Sequence, residues 1–182
     1  MLQTTLFAAA MASSLGWTAA QRPDCPGGWT PHDQHCYKLF KDTVDRSFDE
    51  TENECSKNGA HLAEIESAGE LDFLGSLVGD FSSLEWKQLP RIGGRRENVQ
   101  DGSFRPLFGS GLYTYWCSKT YPNNYNALPE SKDEPTCLYL LTPKIYGNSE
   151  SKRACMDDDY CRSNTGHNTI TRGHSWICKR SL

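Results

Sequence analysis

The chain has 182 residues, eight cysteines and a formal net charge of −4. Its mildly acidic balance, with no run of lysine or arginine, argues against a nucleic-acid partner, which would require a basic surface. The length is that of one domain behind a short leader.

The N-terminal segment is predicted to be a secretory signal peptide. Residues 1–20 contain no charged side chain, are apolar from Leu2 to Trp17 and end in the small residues 18–20. A membrane anchor or a buried helix is the alternative, but polar residues interrupt the stretch and it is short for a bilayer. We therefore expect a signal peptide over 1–20 and a secreted domain over 21–182, with no membrane span.

The cysteines are predicted to form disulfides. All eight lie after residue 20, and an even number in a secreted chain favours disulfides over zinc ligands or catalytic thiols. The sequence alone allows about 105 pairings.

The first predicted elements are a turn, a strand and a helix. The Pro-Gly-Gly cluster within Cys25–Trp29 breaks regular structure, and the aromatic run Cys36–Phe40 resumes it as a strand. Ser47 and Glu50 have the spacing of a capping box, which predicts a helix that ends at Asn58–Gly59. That helix would place Phe48, Thr51 and Cys55 on one face.

A short strand and a second helix are predicted next. Residues Ala60–Ile65 have the pattern of a strand, and Ser67 with Glu70 forms a second capping box. The helix would end at Gly79 and direct four apolar residues inward: Leu71, Leu74, Leu77 and Val78.

The rest of the chain is predicted to be mostly loop. Residues Gly93–Tyr160 are rich in glycine, proline, asparagine and charge, so regular structure should be sparse there. Aromatic residues and cysteines in the same stretch indicate an ordered, crosslinked loop. A final strand over Trp176–Lys179 completes an α+β fold class.

Taken in order, these motifs resemble the C-type lectin-like domain, and the likeness covers essentially the whole chain after residue 20. The segments that carry it are Cys25–Trp29, Cys36–Tyr37, Gly59–Ile65, Arg91–Gly94, Tyr115–Trp116, Tyr121–Asn123, Cys137, Met156–Cys161 and Trp176–Cys178. Arg91 and Met156 stand where the family has tryptophan. The resemblance implies two helices, short antiparallel sheets and a long disulfide-braced loop.

The resemblance also implies a disulfide pattern. Three pairs are those of the family: Cys25–Cys36, Cys55–Cys178 and Cys137–Cys161. Cys117 and Cys155 remain and would brace the long loop, as a similar extra pair does in fish type II antifreeze proteins of this family.

A calcium and carbohydrate site is implied on the long loop. Calcium prefers oxygen ligands, and sugar hydroxyls complete its shell in sugar-binding members. Carried over by position, the candidate metal ligands are Asn123, Asp157 and Asp158, and Glu134 joins them as a substitute from the position next to the expected one. Tyr121 is added as a carbohydrate contact. Tyr121 and Pro135 replace two expected carboxylates. The alternative is that residues 157–159 form a solvated acidic turn and 123–124 a plain one.

The expected function is extracellular recognition of a carbohydrate or glycoprotein, with calcium as the expected cofactor and innate recognition or agglutination as the setting. Two alternatives stay open: a structural or biomineral matrix protein that contacts a mineral surface, and a calcium-independent domain that binds a protein. No histidine has a defensible spacing to a serine or cysteine nucleophile, so we expect no enzyme activity.

Overall fold

The computed structural model describes residues 24–79, 89–96, 104–109, 111–117, 135–142, 153–161 and 174–182. Two helices and seven strands lie in these ranges. They are β1 Thr30–His32, β2 His35–Lys41, α1 Phe48–Lys57, β3 His61–Leu62, α2 Ala68–Gly79, β4 Arg91–Arg96, β5 Thr136–Leu141, β6 Cys155–Tyr160 and β7 Ser175–Ser181.

The strands form one sheet in the order β1-β2-β7-β4-β5-β6, with β3 paired to β7. All strand pairs are antiparallel except β4 with β7, which meet in parallel at Arg91 and Trp176. The C-terminal strand therefore lies at the centre of the sheet. It separates a side built from β1, β2 and β3 from a side built from β4, β5 and β6.

Helix α1 begins as the capping box predicts. The Ser47 hydroxyl accepts the Glu50 N–H, and the Glu50 carboxylate accepts the Ser47 N–H. Each bond satisfies an amide that helix geometry leaves without a partner. The helix ends at Asn58, and Gly59 follows with a φ of +64°, a conformation that favours glycine. The predicted inner face, including Cys55, is buried.

Only one of the two hydrogen bonds of the second capping box forms. The Ser67 hydroxyl accepts the Glu70 N–H at 3.1 Å, but the Glu70 carboxylate accepts the N–H of Glu66 rather than that of Ser67. Glu70 is buried and also binds Tyr37, so a tertiary contact sets the direction of its side chain. Three of the four predicted inward residues of α2 are buried, and Leu77 is partly buried.

The expectation of sparse regular structure over Gly93–Tyr160 misses strands β5 and β6 and the second part of β4. All six residues of β5 are buried, and its register with β6 runs without interruption from Thr136–Tyr160 to Leu141–Cys155. Residues 157–159 therefore lie in a strand and not in an acidic turn. The short strand predicted over Ala60–Ile65 is reduced to β3.

Four disulfides crosslink the fold in the pairs that the resemblance implies. Cys25–Cys36 joins the N-terminal turn to β2, and Cys55–Cys178 joins α1 to β7. Cys117–Cys155 and Cys137–Cys161 lie on the side of β5 and β6. No cysteine is left free. No helix among the described residues is long and apolar enough to cross a membrane.

Arg91 is fully buried at the tryptophan position of the resemblance. Its guanidinium donates to the Arg46 carbonyl at 2.8 Å and to the Tyr139 hydroxyl at 2.9 Å. A buried cation is tolerated only where such acceptors compensate for the loss of water. At the other replaced tryptophan position Met156 is also fully buried and fills the core.

Candidate functional site

The predicted calcium and sugar residues are only partly covered by the described structure. Tyr121, Asn123 and Glu134 lie outside the described residues. Asp157 and Asp158 lie next to each other in β6, opposite Tyr139 and Leu138 of β5.

Asp158 is held in a buried ion pair. Its carboxylate Oδ2 accepts a hydrogen bond from Nη2 of Arg96 at 3.0 Å, and the two side chains are 2% and 1% exposed. Arg96 is the last residue of β4, so its side chain reaches across β5 to the outer strand of the sheet. The positive charge compensates the carboxylate in a region that water does not reach.

The Arg96 side chain is positioned by two further contacts. Its Nε donates to the Thr136 hydroxyl at 3.1 Å, and its guanidinium lies 5.0 Å from the centre of the Phe104 ring. Phe104 in turn packs against Trp116 with ring centres 5.6 Å apart. The ion pair is thus covered by aromatic residues, which lowers the local dielectric constant and strengthens the attraction.

Asp157 differs from Asp158 in its exposure. Its side chain is half-buried, and its Oδ1 accepts the backbone N–H of Asp158 at 3.0 Å. Of the two adjacent carboxylates, only Asp157 is in contact with solvent.

The described part of the long loop, residues 104–109 and 111–117, is fixed to the core at several points; we call it the loop segment. Backbone hydrogen bonds join Arg105 to Arg95 of β4, Tyr113 to Ile65, and both Tyr115 and Cys117 to Met156 of β6. The Cys117–Cys155 disulfide adds a covalent crosslink at the end of the segment. The loop segment therefore has a defined path without regular secondary structure.

A buried carboxylate holds the middle of the loop segment. Glu64 is 4% exposed, and its carboxylate accepts the backbone N–H groups of Leu107, Phe108 and Gly109, with Phe108 N 2.7 Å from Oε1. Three converging amides compensate the buried negative charge. A Cβ on Gly109 would lie 2.6 Å from Glu64 Oε2, so a larger residue there would displace the carboxylate from this position.

This arrangement presents apolar side chains to solvent. Leu107 is 39% exposed and Phe108 is 51% exposed, although the backbone beneath them is fixed. The Phe108 ring stacks on His61 with ring centres 3.9 Å apart. His61 is itself within 2.7 Å of the Glu52 carboxylate, which also accepts the N–H of Leu62.

Phe108 stands at the rim of a cleft of about 490 Å³, which we call the Phe108 cleft. Its lining combines the Phe108 and His61 rings with Glu66, Lys179 and Arg180. Its volume is in the range of small-ligand sites. A mixed aromatic and charged lining also suits a side chain from a protein partner.

A polar network lies next to the Phe108 cleft. Lys179 Nζ lies 2.9 Å from Glu70 and 3.3 Å from Glu66, and the Tyr37 hydroxyl donates to Glu70 at 2.7 Å. Burial raises the pKa of Tyr37 far above its ordinary value, and the neighbouring Glu70 raises it further, so Tyr37 is always a donor. These contacts hold Lys179 and Glu66, which line the Phe108 cleft, in defined positions.

Sequence reasoning missed three residues that define these sites. Arg96, Glu64 and Phe108 each act through contacts with residues more than forty positions away along the chain. Glu64 carries the only local signal, since it is an acidic residue within the mostly apolar run Ala60–Ile65.

Comparisons with known proteins support the fold. No protein-family model matches the chain. The C-type lectin domain of murine dendritic cell inhibitory receptor 2, in complex with N-glycan, superposes with a TM-score of 0.59 at 23% identity, covering 87% of this chain and 100% of that one. A calcium-independent type II antifreeze protein superposes with a TM-score of 0.57 at 24% identity, covering 87% and 95%.

The chain therefore contains a C-type lectin-like domain of the α+β class. Its sequence is similar to the snaclecs, snake C-type lectin-like proteins. It is 44% identical to the alpha chain of snaclec rhodocytin of Calloselasma rhodostoma over 79 residues, which are 42% of this chain and 57% of that protein. It is 47% identical to one chain of the snaclec coagulation factor IX-binding protein of Protobothrops flavoviridis over 57 residues, 30% and 43% of the two chains. The chain spans about half the length of these relatives.

Proposed function

We propose that this domain is an extracellular recognition module that binds a protein ligand through the loop segment. The observation that carries the proposal is Phe108, an exposed aromatic ring on a backbone fixed by the buried Glu64 carboxylate. Aromatic residues on a fixed backbone make strong interface anchors, because little conformational entropy is lost when they bind.

The surroundings of Phe108 support a protein ligand. Leu107 extends the apolar surface on one side, and the Phe108 cleft provides a recess with charged residues at its edge. An apolar centre with a polar rim is the usual anatomy of a protein interface. One of the snaclec relatives is named as a coagulation factor IX-binding protein, which supports a protein as the ligand class.

Carbohydrate is the second candidate, and Asp157 is the observation that favours it. Its carboxylate reaches solvent at a position that corresponds to a sugar-site residue in the resemblance. The remaining predicted sugar contacts, Tyr121, Asn123 and Glu134, stay a prediction because they lie outside the described residues.

We further propose that the domain is secreted and has no enzyme activity. Four disulfides support an oxidising compartment, since such crosslinks rarely persist in the cytosol. The signal peptide over 1–20 and the mature domain over 21–182 are part of the same proposal. One relative is named as a binding protein, which supports a binding role.

A binding experiment with two arms tests the proposal. Surface plasmon resonance would measure the purified domain against a panel of extracellular proteins that includes coagulation factor IX, and a glycan array would be read in calcium. We expect a protein ligand whose affinity falls at least about tenfold in Phe108→Ala, as for an interface anchor.

Val44→Ala is the matched control, because Val44 is an exposed aliphatic residue at 61% exposure outside the loop segment. It should leave the affinity unchanged. Glycan binding that is sensitive to Asp157→Asn, without any protein ligand, would favour the second candidate instead.

A further inference from the structure

The Asp158 carboxylate lies where the resemblance places a calcium ligand, yet it is already bound to a cation of the chain itself. Arg96 Nη2 is 3.0 Å from Asp158 Oδ2, and neither side chain is more than 2% exposed. The pair connects strands β4 and β6 over 62 positions of sequence.

The guanidinium cannot move aside without losing other contacts. Its Nε donates to the Thr136 hydroxyl, on the strand between the two partners. The Phe104 ring covers it at 5.0 Å, and Trp116 supports that ring. These contacts therefore fix the Arg96 side chain at this position of the sheet.

The described donor set does not fit a calcium ion. Calcium requires about six to eight oxygen ligands, whereas a guanidinium offers only N–H donors and a fixed positive charge. An ion bound to Asp158 would lie within a few ångströms of that charge in a region shielded from water, where repulsion is strong. Among the described residues no group of three histidine, cysteine, aspartate or glutamate side chains could hold a metal.

We propose that the Arg96 guanidinium takes the place of a calcium ion at Asp158, so that a cation of the chain itself compensates this carboxylate. The inference goes beyond the proposed function, because it concerns how β6 is stabilised and does not depend on the ligand of the loop segment. It has a direct consequence: the stability that Asp158 contributes does not respond to calcium or to a chelator.

The first test measures the thermal unfolding midpoint of the oxidised protein, in millimolar calcium and in a chelator. Ligands that bind only the native state raise the midpoint by mass action. We expect the wild-type midpoint to be the same in both buffers, or to show a calcium response that persists in Asp158→Asn and thus belongs to another site. A rise of several degrees in calcium that Asp158→Asn abolishes would overturn the proposal.

The second test needs no variant, which matters because loss of either charge could prevent folding. The Arg96 Nε–H gives an NMR signal of its own, and it donates to the Thr136 hydroxyl beside the ion pair. The Asp158 amide is not used as a probe, because it donates to the half-buried Asp157 carboxylate and would respond to calcium bound there. Calcium titration should leave the Arg96 signal in place, because the Asp158 carboxylate is already bound to the guanidinium. A saturable shift of the Arg96 signal with added calcium would show that the ion reaches this pair, and the proposal would fail.

Discussion

Replacing Glu64 with glutamine should loosen the loop segment without unfolding the domain. In the wild-type protein, Oε1 of Glu64 accepts two backbone N–H groups and Oε2 accepts one. Glutamine keeps one oxygen, and its NH₂ group then faces an amide donor whichever way it is turned. The change removes the charge and at least one of three charge-assisted bonds, each contributing about 1.5–3 kcal/mol. A loss of about 2–4 kcal/mol in local stability follows.

Hydrogen exchange measures this loss directly. If the segment opens locally, a loss of that size accelerates exchange of the amides of Leu107, Phe108 and Gly109 by about 30- to 1000-fold. Glu66→Gln is the matched control, because Glu66 lies two positions away on the same chain segment and its more exposed carboxylate binds Lys179 instead. Unchanged exchange in Glu64→Gln, or equal acceleration in both variants, would refute the reasoning.

Three further predictions concern stability. Replacing both Cys55 and Cys178 with alanine should lower the free energy of unfolding by roughly 4 to 5 kcal/mol on the chain-entropy estimate, because the disulfide closes a separation of 123 residues. Denaturant titration measures this free energy, and a loss below about 1 kcal/mol would contradict the estimate. Asp42→Asn should lower the thermal midpoint at neutral pH. A hydrogen bond from Arg46 is the main cause that lowers the pKa of Asp42. Its contribution is therefore present above the pKa of an unfolded aspartate and is lost on acidification through the lower folded value, so a wild-type-to-variant difference that does not shrink below about pH 4 would be inconsistent. Gly75→Ala should destabilise the protein by about 1–3 kcal/mol, because the added Cβ would lie 2.5 Å from a neighbouring alanine Cβ. Gly79→Ala is the control and should be tolerated, because its Cβ would meet no atom within 4 Å. Equal thermal midpoints for the two variants would count against the packing argument.

The sequence predicted the parts of the fold that local signals determine. Ser47 and Glu50 are three residues apart, so their reciprocal bonds could be read from spacing alone, and Gly59 marked the end of the same helix. The order of the motifs then predicted the C-type lectin-like fold, which the structure comparisons confirm. The Glu70 carboxylate departed from its predicted partner because Tyr37, 33 positions away, competes for it.

The candidate sites could be predicted less well because they depend on long-range contacts. Asp158 was identified by its position, but its partner Arg96 lies on another strand and could not be inferred before the sheet order was known. Strand β6 was hidden for the same reason, since its three aspartates have the composition of a turn and only pairing with β5 makes them a strand. Phe108 stood out only once its exposure was known.

The distribution of the disulfides has a consequence for how the domain can diversify. Two crosslinks close the side of β1, β2 and β3 with β7, two close the side of β5 and β6, and none joins β4, β5 or β6 to the other strands. Strand β4 is joined to the other side by non-covalent contacts, among them its pairing with β7 at Arg91 and Trp176, the Gly93–Ala63 hydrogen bond and the bond from the Arg91 guanidinium to the Arg46 carbonyl. Substitutions on the side of β5 and β6 therefore leave the covalent closure of the other side intact. Such a division allows one side of the sheet to change in sequence while the first helix keeps its crosslink to the C-terminal strand.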